Sequence, residues 1–213
     1  MRLFGKKEKQ EHKIMRQVLE RGEALQPEYH RATHECPHPE RWSMVDSMTA
    51  EFEVLEFLKT LVTTAKPRLI VETGSFLGVS TLWMARGLRE NGFGRIISCE
   101  YDKAVFEQAR EKIAASDVRE WIDLRNESSL EMQVEGEIDL LFSDSDLDIR
   151  EAEVRRYLPQ INPQGLILMH DASSHLEKVR AAAFKLEQEG LISAIFLPTP
   201  RGLVAAQKRA GRR

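Results

Sequence analysis

Leu69-Ile70-Val71-Glu72-Thr73-Gly74-Ser75-Phe76-Leu77-Gly78-Val79-Ser80-Thr81-Leu82, followed by Arg95-Ile96-Ile97-Ser98-Cys99-Glu100-Tyr101-Asp102, is the stretch that decides how this chain folds. Leu69, Ile70 and Val71 form a short apolar run rich in β-branched residues, which reads as a buried strand. Two glycines follow, at 74 and 78, and a helical pattern runs from Ser80 through Leu88. Strand, glycine-bearing turn and helix together open a doubly wound α/β sheet, in which ligands bind beyond the carboxyl ends of the strands. Gly74 and Gly78 let the backbone turn tightly where a ligand must come close. A second apolar strand, Arg95–Cys99, ends on Glu100, an acidic residue in position to accept hydrogen bonds from the two hydroxyls of a ribose.

Working outward, strand and helix alternate. A helix over Lys103–Ala115 turns Val105, Phe106, Ala109 and Ile113 inward. A short strand lies near Trp121–Leu124, and Asn126-Glu127-Ser128 follows it. The fourth strand is Ile138–Ser143, ending in Asp144-Ser145-Asp146, with a helix over Ile149–Leu158 behind it. Pro163-Gln164-Gly165 reads as a turn before a fifth strand, Leu166–Met169, which ends in His170-Asp171; His175 lies nearby. A long helix spans Ser174–Glu189, and Ile192–Leu197 with Leu203–Gln207 reads as an antiparallel hairpin. Ahead of the first strand, a helix over Ala50–Thr63 places Phe52, Leu55, Leu58 and Leu61 at helical spacing, with Thr49 as the expected N-cap. The alternation predicts a Rossmann-like, doubly wound α/β fold: seven strands, mostly parallel, closed by an antiparallel hairpin.

Residues 1–46 are polar and irregular, with a helix expected over Glu11–Arg21, and read as an N-terminal extension that could lid a site. His30, His34, Cys36 and His38 crowd together there, but their spacing matches none of the two-plus-two zinc patterns and Pro37 interrupts it. A solvated loop is the simpler reading. The globular domain is expected over 47–208, with a basic tail at 209–213. A net charge of −3 over 213 residues argues against a polyanionic partner such as nucleic acid. Two cysteines make no disulfide framework, which points to a reducing compartment. No apolar run approaches the ~20 residues of a membrane span and no leader is apparent, so a soluble, cytoplasmic protein is expected.

Glycine spacing separates two cofactor classes. A dinucleotide site needs G-x-G-x-x-G to seat a pyrophosphate on a helix N-terminus. Here Glu72-x-Gly74-x-x-x-Gly78 places a carboxylate before the turn, which would repel a pyrophosphate but suits the cationic amino-acid end of S-adenosylmethionine. On Glu72, Gly74, Gly78, Ser80 and Thr81 the chain resembles the class I S-adenosylmethionine-dependent methyltransferases. More narrowly it resembles the small-molecule O-methyltransferases of the catechol and caffeoyl-CoA type. The order of Asp144, the Pro163-x-Gly165 turn and the C-terminal hairpin extends the likeness over about residues 47–208. The resemblance implies S-adenosylmethionine as cofactor, a small-molecule hydroxyl as acceptor and a homodimer, with no membrane partner.

It also implies roles for residues. Glu72 and Gly74 would face the amino-acid moiety, Gly78 and Ser80 the loop and helix start, Glu100 the ribose and Ser128 the adenine, with Ser75 also at the cofactor. Asp144, His170 and Asp171, at the tips of the fourth and fifth strands, are the catalytic candidates, with Asp144 also at the cofactor. In the metal-dependent relatives an aspartate follows the fourth strand and an Asp-Asn pair the fifth, so Asp144 and Asp171 could hold Mg²⁺ or another divalent cation. Here His170-Asp171 replaces the pair, and Leu147 stands where those relatives carry a lysine. His170 as a general base without any metal is the equal alternative. Transfer to a nucleic acid and a non-catalytic binding domain are the competing functions.

Overall fold

The computed structural model describes residues 30–31, 42–44, 48–173 and 177–209. A seven-stranded sheet forms its centre: β1 (Leu69–Thr73), β2 (Arg95–Cys99), β3 (Ile122–Arg125), β4 (Ile138–Ser143), β5 (Ile161–His170), β6 (Ile192–Leu197) and β7 (Leu203–Lys208). Their spatial order is β3-β2-β1-β4-β5-β7-β6. The first five run parallel, and β7 is antiparallel to both β5 and β6. The order reverses between β1 and β4, and a doubly wound sheet opens its ligand crevice at such a point.

Among the described residues five α-helices cover the two faces: α1 (Phe52–Ala65), α2 (Val79–Asn91), α3 (Lys103–Ala114), α4 (Arg150–Tyr157) and α5 (Glu177–Gln188). Every residue of β1 is buried, as a strand with helices on both sides requires. Alternation along it sends Ile70 into one core with Leu55, Leu58, Leu82 and Trp83, and Val71 into the other with Val154, Tyr157, Val179 and Leu186. Burying many such side chains on each face, at roughly 1.5–3 kcal/mol apiece, is what holds the strand tips in fixed relation. Helix ends follow local chemistry. Asp102 caps α3 by accepting from the Ala104 and Val105 amides, and left-handed Gly92 closes α2.

The expected seven-stranded sheet is the one found, with two local differences. Pro163-Gln164-Gly165 does not precede β5 but lies inside it, as an irregularity opposite β4. Ile138 pairs with Ile161, yet Leu140 pairs with Leu166, so the extra residues bulge out of register. Pro163 has no amide to give the ladder, and a Cβ on Gly165 would sit 2.9 Å from the Ile138 carbonyl oxygen. The second difference is the N-cap of α1, which is Glu51 rather than Thr49 and has no side-chain capping bond. Its carboxylate is committed elsewhere.

Of the extension, His30–Arg31 pairs antiparallel with Ser43–Met44, and Met44 bridges to Glu51. The expected helix at Glu11–Arg21, the residues His34, Cys36, His38 and His175, and the tail at 210–213 lie outside the described residues.

Candidate functional site

The glycine loop is built by backbone bonds to the neighbouring strand. The Gly74 and Ser75 amides both donate to the Cys99 carbonyl, each at 3.0 Å, and Gly78 donates to the Ser75 carbonyl at 2.7 Å. Gly74 has φ +80°, and a Cβ there would lie 2.5 Å from the Asp144 carbonyl oxygen and 2.6 Å from Ser145 Cα. Its bareness is thus required first by the close approach of the β4 tip. Phe76 takes φ +46°, uncommon for a bulky residue, and its amide donates to Glu100 Oε2 at 3.0 Å. Glu100 Oε1 accepts from the Asp102 amide at 2.9 Å. The carboxylate at the tip of β2 is therefore oriented by two backbone amides.

Beyond these tips opens a cleft of about 690 Å³, within the usual ~300–1,000 Å³ range of small-molecule sites. Gly74, Glu100, Ser128, Asp144 and Asp171 line it, together with Met48, Phe76, Tyr101, Ile149 and Arg201, which the sequence reading did not single out. Seven carboxylates border it (Glu100, Asp102, Glu127, Glu131, Asp144, Asp146 and Asp171), with Arg201 the basic group among the described lining residues. Such a wall attracts cations and opposes phosphates.

Glu72, Ser75, Gly78, Ser80 and His170 are not on that wall. Glu72 is wholly buried beneath the loop. It accepts hydrogen bonds from Ser80 Oγ and Ser98 Oγ, each at 2.5 Å, and from Thr81 Oγ1. The sequence reading turns Glu72 toward a ligand's amino-acid end; here its carboxylate faces three hydroxyls of its own chain. Burial pushes its carboxyl up to about 7, against the pull of those hydroxyls. Ser80, given to Glu72, is a support of the loop; Gly78 caps α2 in a left-handed conformation. The Ser75 hydroxyl is buried without a hydrogen-bond partner among the described residues. A second buried carboxylate, Glu153 of α4, receives Thr73 Oγ1 at 2.8 Å and Ser143 and Ser145 Oγ at 2.6 Å each, tying β1, β4 and the loop after β4 together.

At the tips of β4 and β5 the three catalytic candidates do meet, and other residues join them. His170 Nδ1 lies 3.2 Å from Asp144 Oδ1 and 3.4 Å from Asp171 Oδ1, while its Nε2 is 3.0 Å from Glu51 Oε2. Arg150, 1% exposed, sets Nη2 3.2 Å from Asp144 Oδ1 and 3.7 Å from Asp171 Oδ2. Its remaining N–H groups donate to the Ser143, Ser145 and His170 carbonyls. Arg201 Nε stands 2.7 Å from Asp171 Oδ1. Burial alone would lower the His170 pKa, but the charges of Asp144 and Asp171 and its hydrogen bonds outweigh it and hold the ring well above its ordinary 6.5. Burial likewise tends to raise Asp144 and Glu51, and the pairing with His170 overrides it in both, keeping them below their ordinary values. Asp171 goes the other way, raised by its burial and by the charge of Asp144.

Two consequences bear on the sequence reading. Both ring nitrogens of His170 face carboxylates, Nδ1 toward Asp144 and Nε2 toward Glu51, and the ring does not border the cleft. The donor set also fails to fit a divalent cation as it stands. Asp144, His170 and Asp171 do bring ligand atoms within 4.8 Å of one another, but both carboxylates already face guanidinium groups. Three cations (Arg150, Arg201 and His170) balance three carboxylates (Glu51, Asp144 and Asp171), and a buried Arg150 cannot withdraw its charge. Leu147, at the position of the relatives' lysine, is partly buried against the core.

Sequence alone gave little signal for Glu51, Arg150 or Arg201. They lie 119, 20 and 31 positions from His170 in the chain, and only the fold brings them together. Arg201, within Pro200-Arg201-Gly202, carried the nearest thing to a cue, a charged residue in a hairpin turn beside the strand tips.

A family model described as a methyltransferase domain matches residues 71–172. A catechol O-methyltransferase of Niastella koreensis is 30% identical over 97 residues, covering 43% of this chain and 43% of that protein. The match therefore spans less than half the length of that relative. A candidate O-methyltransferase of Mycolicibacterium vanbaalenii is 26% identical over 66% of this chain and 69% of its own length. Among solved structures, a Podospora anserina methyltransferase bound to S-adenosylhomocysteine superposes with a TM-score of 0.70 at 20% identity, over 78% of this chain and 82% of that one. That likeness is one of fold.

Proposed function

We propose, from the match of residues 71–172 to a methyltransferase-domain family model and from the doubly wound sheet, that this chain transfers a methyl group from S-adenosylmethionine to a hydroxyl of a small molecule. The observation that carries the reading is the carboxylate-lined cleft at the switch point of the sheet, with Glu100 held by two amides at its edge. A sulfonium and an ammonium group suit seven carboxylates; the pyrophosphate of a dinucleotide, or a nucleic-acid backbone, does not. A buried Ser75 hydroxyl without a partner in the same loop is a further polar group to satisfy. When bound, S-adenosylmethionine supplies an electrophilic methyl on sulfur.

Glu100 accepts from the ribose hydroxyls, Ser128 borders the adenine end, and the loop from Gly74 to Phe76 forms the floor between them. Holding donor and acceptor in line supplies most of the acceleration. The remaining task is the acceptor proton. Asp171, on the cleft wall and the one carboxylate of the cluster raised in pKa, takes that proton as the acceptor oxygen takes the methyl. Asp144 and His170 hold Asp171 in place. Among the described residues no helix is long and apolar enough to cross a membrane.

Calorimetric titration of S-adenosylhomocysteine into cofactor-free protein tests the reading, followed by transfer of a radiolabelled methyl group to a panel of hydroxyl compounds. Micromolar binding and label recovered as a methyl ether are the expected results. A folded, cofactor-free protein that binds no S-adenosylhomocysteine overturns it.

A further inference from the structure

Arg201 rises from the turn between β6 and β7, and that turn is locked to the segment after β5. The Ala172 amide donates to the Gly202 carbonyl at 3.1 Å and the Ser173 amide to the Arg201 carbonyl at 2.8 Å. A Cβ on Gly202 would lie only 2.1 Å from the Ser173 nitrogen, so the backbone on either side of the arginine is closely packed. The side chain is 11% exposed and ion-paired with Asp171, Nε lying 2.7 Å from Oδ1; its Nη1 donates to the Thr49 carbonyl at 3.5 Å, and it borders the cleft together with Asp144, Asp171 and Met48. Opposite, Arg150 is buried and tied to three carbonyls and to Asp144. Two guanidinium groups therefore occupy the inner and outer sides of the Asp144–Asp171 pair, where a divalent cation would need the same oxygens.

We infer that the acceptor end of this cleft works without a divalent cation, and that the Arg201 guanidinium is the fixed positive group that receives the acceptor oxygen. A guanidinium stays charged at every working pH and presents its donors in a rigid plane, and a neighbouring positive charge favours the ionised form of an oxygen acid. The acceptor class that profits most is a hydroxyl that ionises readily, a phenol or enol. The inference rests on the methyl-transfer reading of the same cleft and goes beyond it in assigning Arg201, rather than a divalent cation, as the positive group that receives the acceptor oxygen.

The test has two arms on the full chain, stripped with a chelator. In the first, Mn²⁺ is titrated in the presence of S-adenosylhomocysteine and followed by electron paramagnetic resonance. No stoichiometric binding is expected, and neither chelator nor Mg²⁺ should change the melting temperature or the turnover. Micromolar one-site Mn²⁺ binding that Asp144→Asn abolishes overturns the inference while leaving the methyl-transfer reading intact. In the second, Arg201→Met and Arg201→Lys are compared with the wild type on phenols of graded acidity. S-adenosylhomocysteine affinity, which also reports folding, should stay within about threefold, while KM for the phenol rises about tenfold in Arg201→Met, a loss of one hydrogen-bonded charge contact, and recovers in part in Arg201→Lys. The pH at which kcat/KM levels off should move upward in Arg201→Met. An unchanged KM and pH profile, or no turnover on any phenol or enol by a chain that binds S-adenosylhomocysteine, overturns the assignment of Arg201. A chain that binds no S-adenosylhomocysteine removes both readings together.

Discussion

Replacing Glu72 with Gln should change how the stability of this protein depends on pH, by an amount that follows from its burial. The Glu72 carboxyl, enclosed by Ser80, Thr81 and Ser98, titrates near 7 in the folded chain against an ordinary 4.5. Between those two values the unfolded chain has released a proton that the folded chain keeps. The stability contributed by the protonated form is therefore complete below about pH 4.5 and is lost as the pH climbs through about 7. The distance between about 7 and the ordinary 4.5, at about 1.36 kcal/mol per tenfold change in proton affinity, corresponds to about 3 kcal/mol over the whole window. From pH 5 to pH 8 the loss should be about 2.5 kcal/mol, a large share of the stability of a domain this size. Glu72→Gln has no proton to lose there, and the neighbouring hydroxyls can turn to accept from its amide, so the variant should show none of this component. Urea unfolding of both proteins at pH 5 and pH 8, read by circular dichroism, gives the two differences. Other titrating groups cancel in the comparison. If the wild type minus variant difference is the same at both pH values, Glu72 does not carry the proton and the reasoning from its burial is wrong.

Three other outcomes follow from the cleft and its supports. Glu100→Ala should weaken S-adenosylhomocysteine binding by about 10- to 100-fold, the loss of charge-assisted bonds worth about 1.5–3 kcal/mol, measured by calorimetry; unchanged affinity would remove the ribose assignment. Gly74→Ala must fit a Cβ against the Asp144 and Ser145 backbone at φ +80°, so it should cost at least about 2 kcal/mol in urea unfolding and abolish ligand binding; a variant as stable as wild type would show that the β4 tip can yield. Arg150→Met leaves Asp144 and three carbonyls without their buried donor and should lower stability by about 3–5 kcal/mol, again read by urea unfolding, whereas near-neutral stability would mean that the cluster closes without it.

The parallel sheet was legible because its signals are local. A β-branched run such as Leu69–Val71 ends on glycines, and the strands at Arg95–Cys99, Ile138–Ser143 and Ile192–Leu197 have the bounds expected from their apolar residues alone. Where the reading slipped, a neighbouring strand had decided the matter. Pro163-Gln164-Gly165 looks like a turn in isolation, yet β4 holds both sides of it in the sheet as an irregularity. Thr49 has the chemistry of an N-cap, but α1 begins at Phe52 because Glu51 is drawn into the sheet tips by His170.

The site divides in the same way. Gly74, Glu100, Ser128, Asp144 and Asp171 could be named from sequence because each sits at a strand tip, and in a doubly wound sheet every strand tip of that edge faces one crevice. The sequence determined the kind of fold and the edge at which its chemistry collects, through period, glycine spacing and the order of strands. Which groups share charge at that edge belonged to the tertiary structure alone. Glu51, Arg150 and Arg201 come from a helix start, a helix and a hairpin turn, and their pairing with Asp144, His170 and Asp171 exists only after the elements pack. Protonation is decided there too, since a carboxylate takes its pKa from burial and from the charges a few ångströms away. None of those distances is written along the chain.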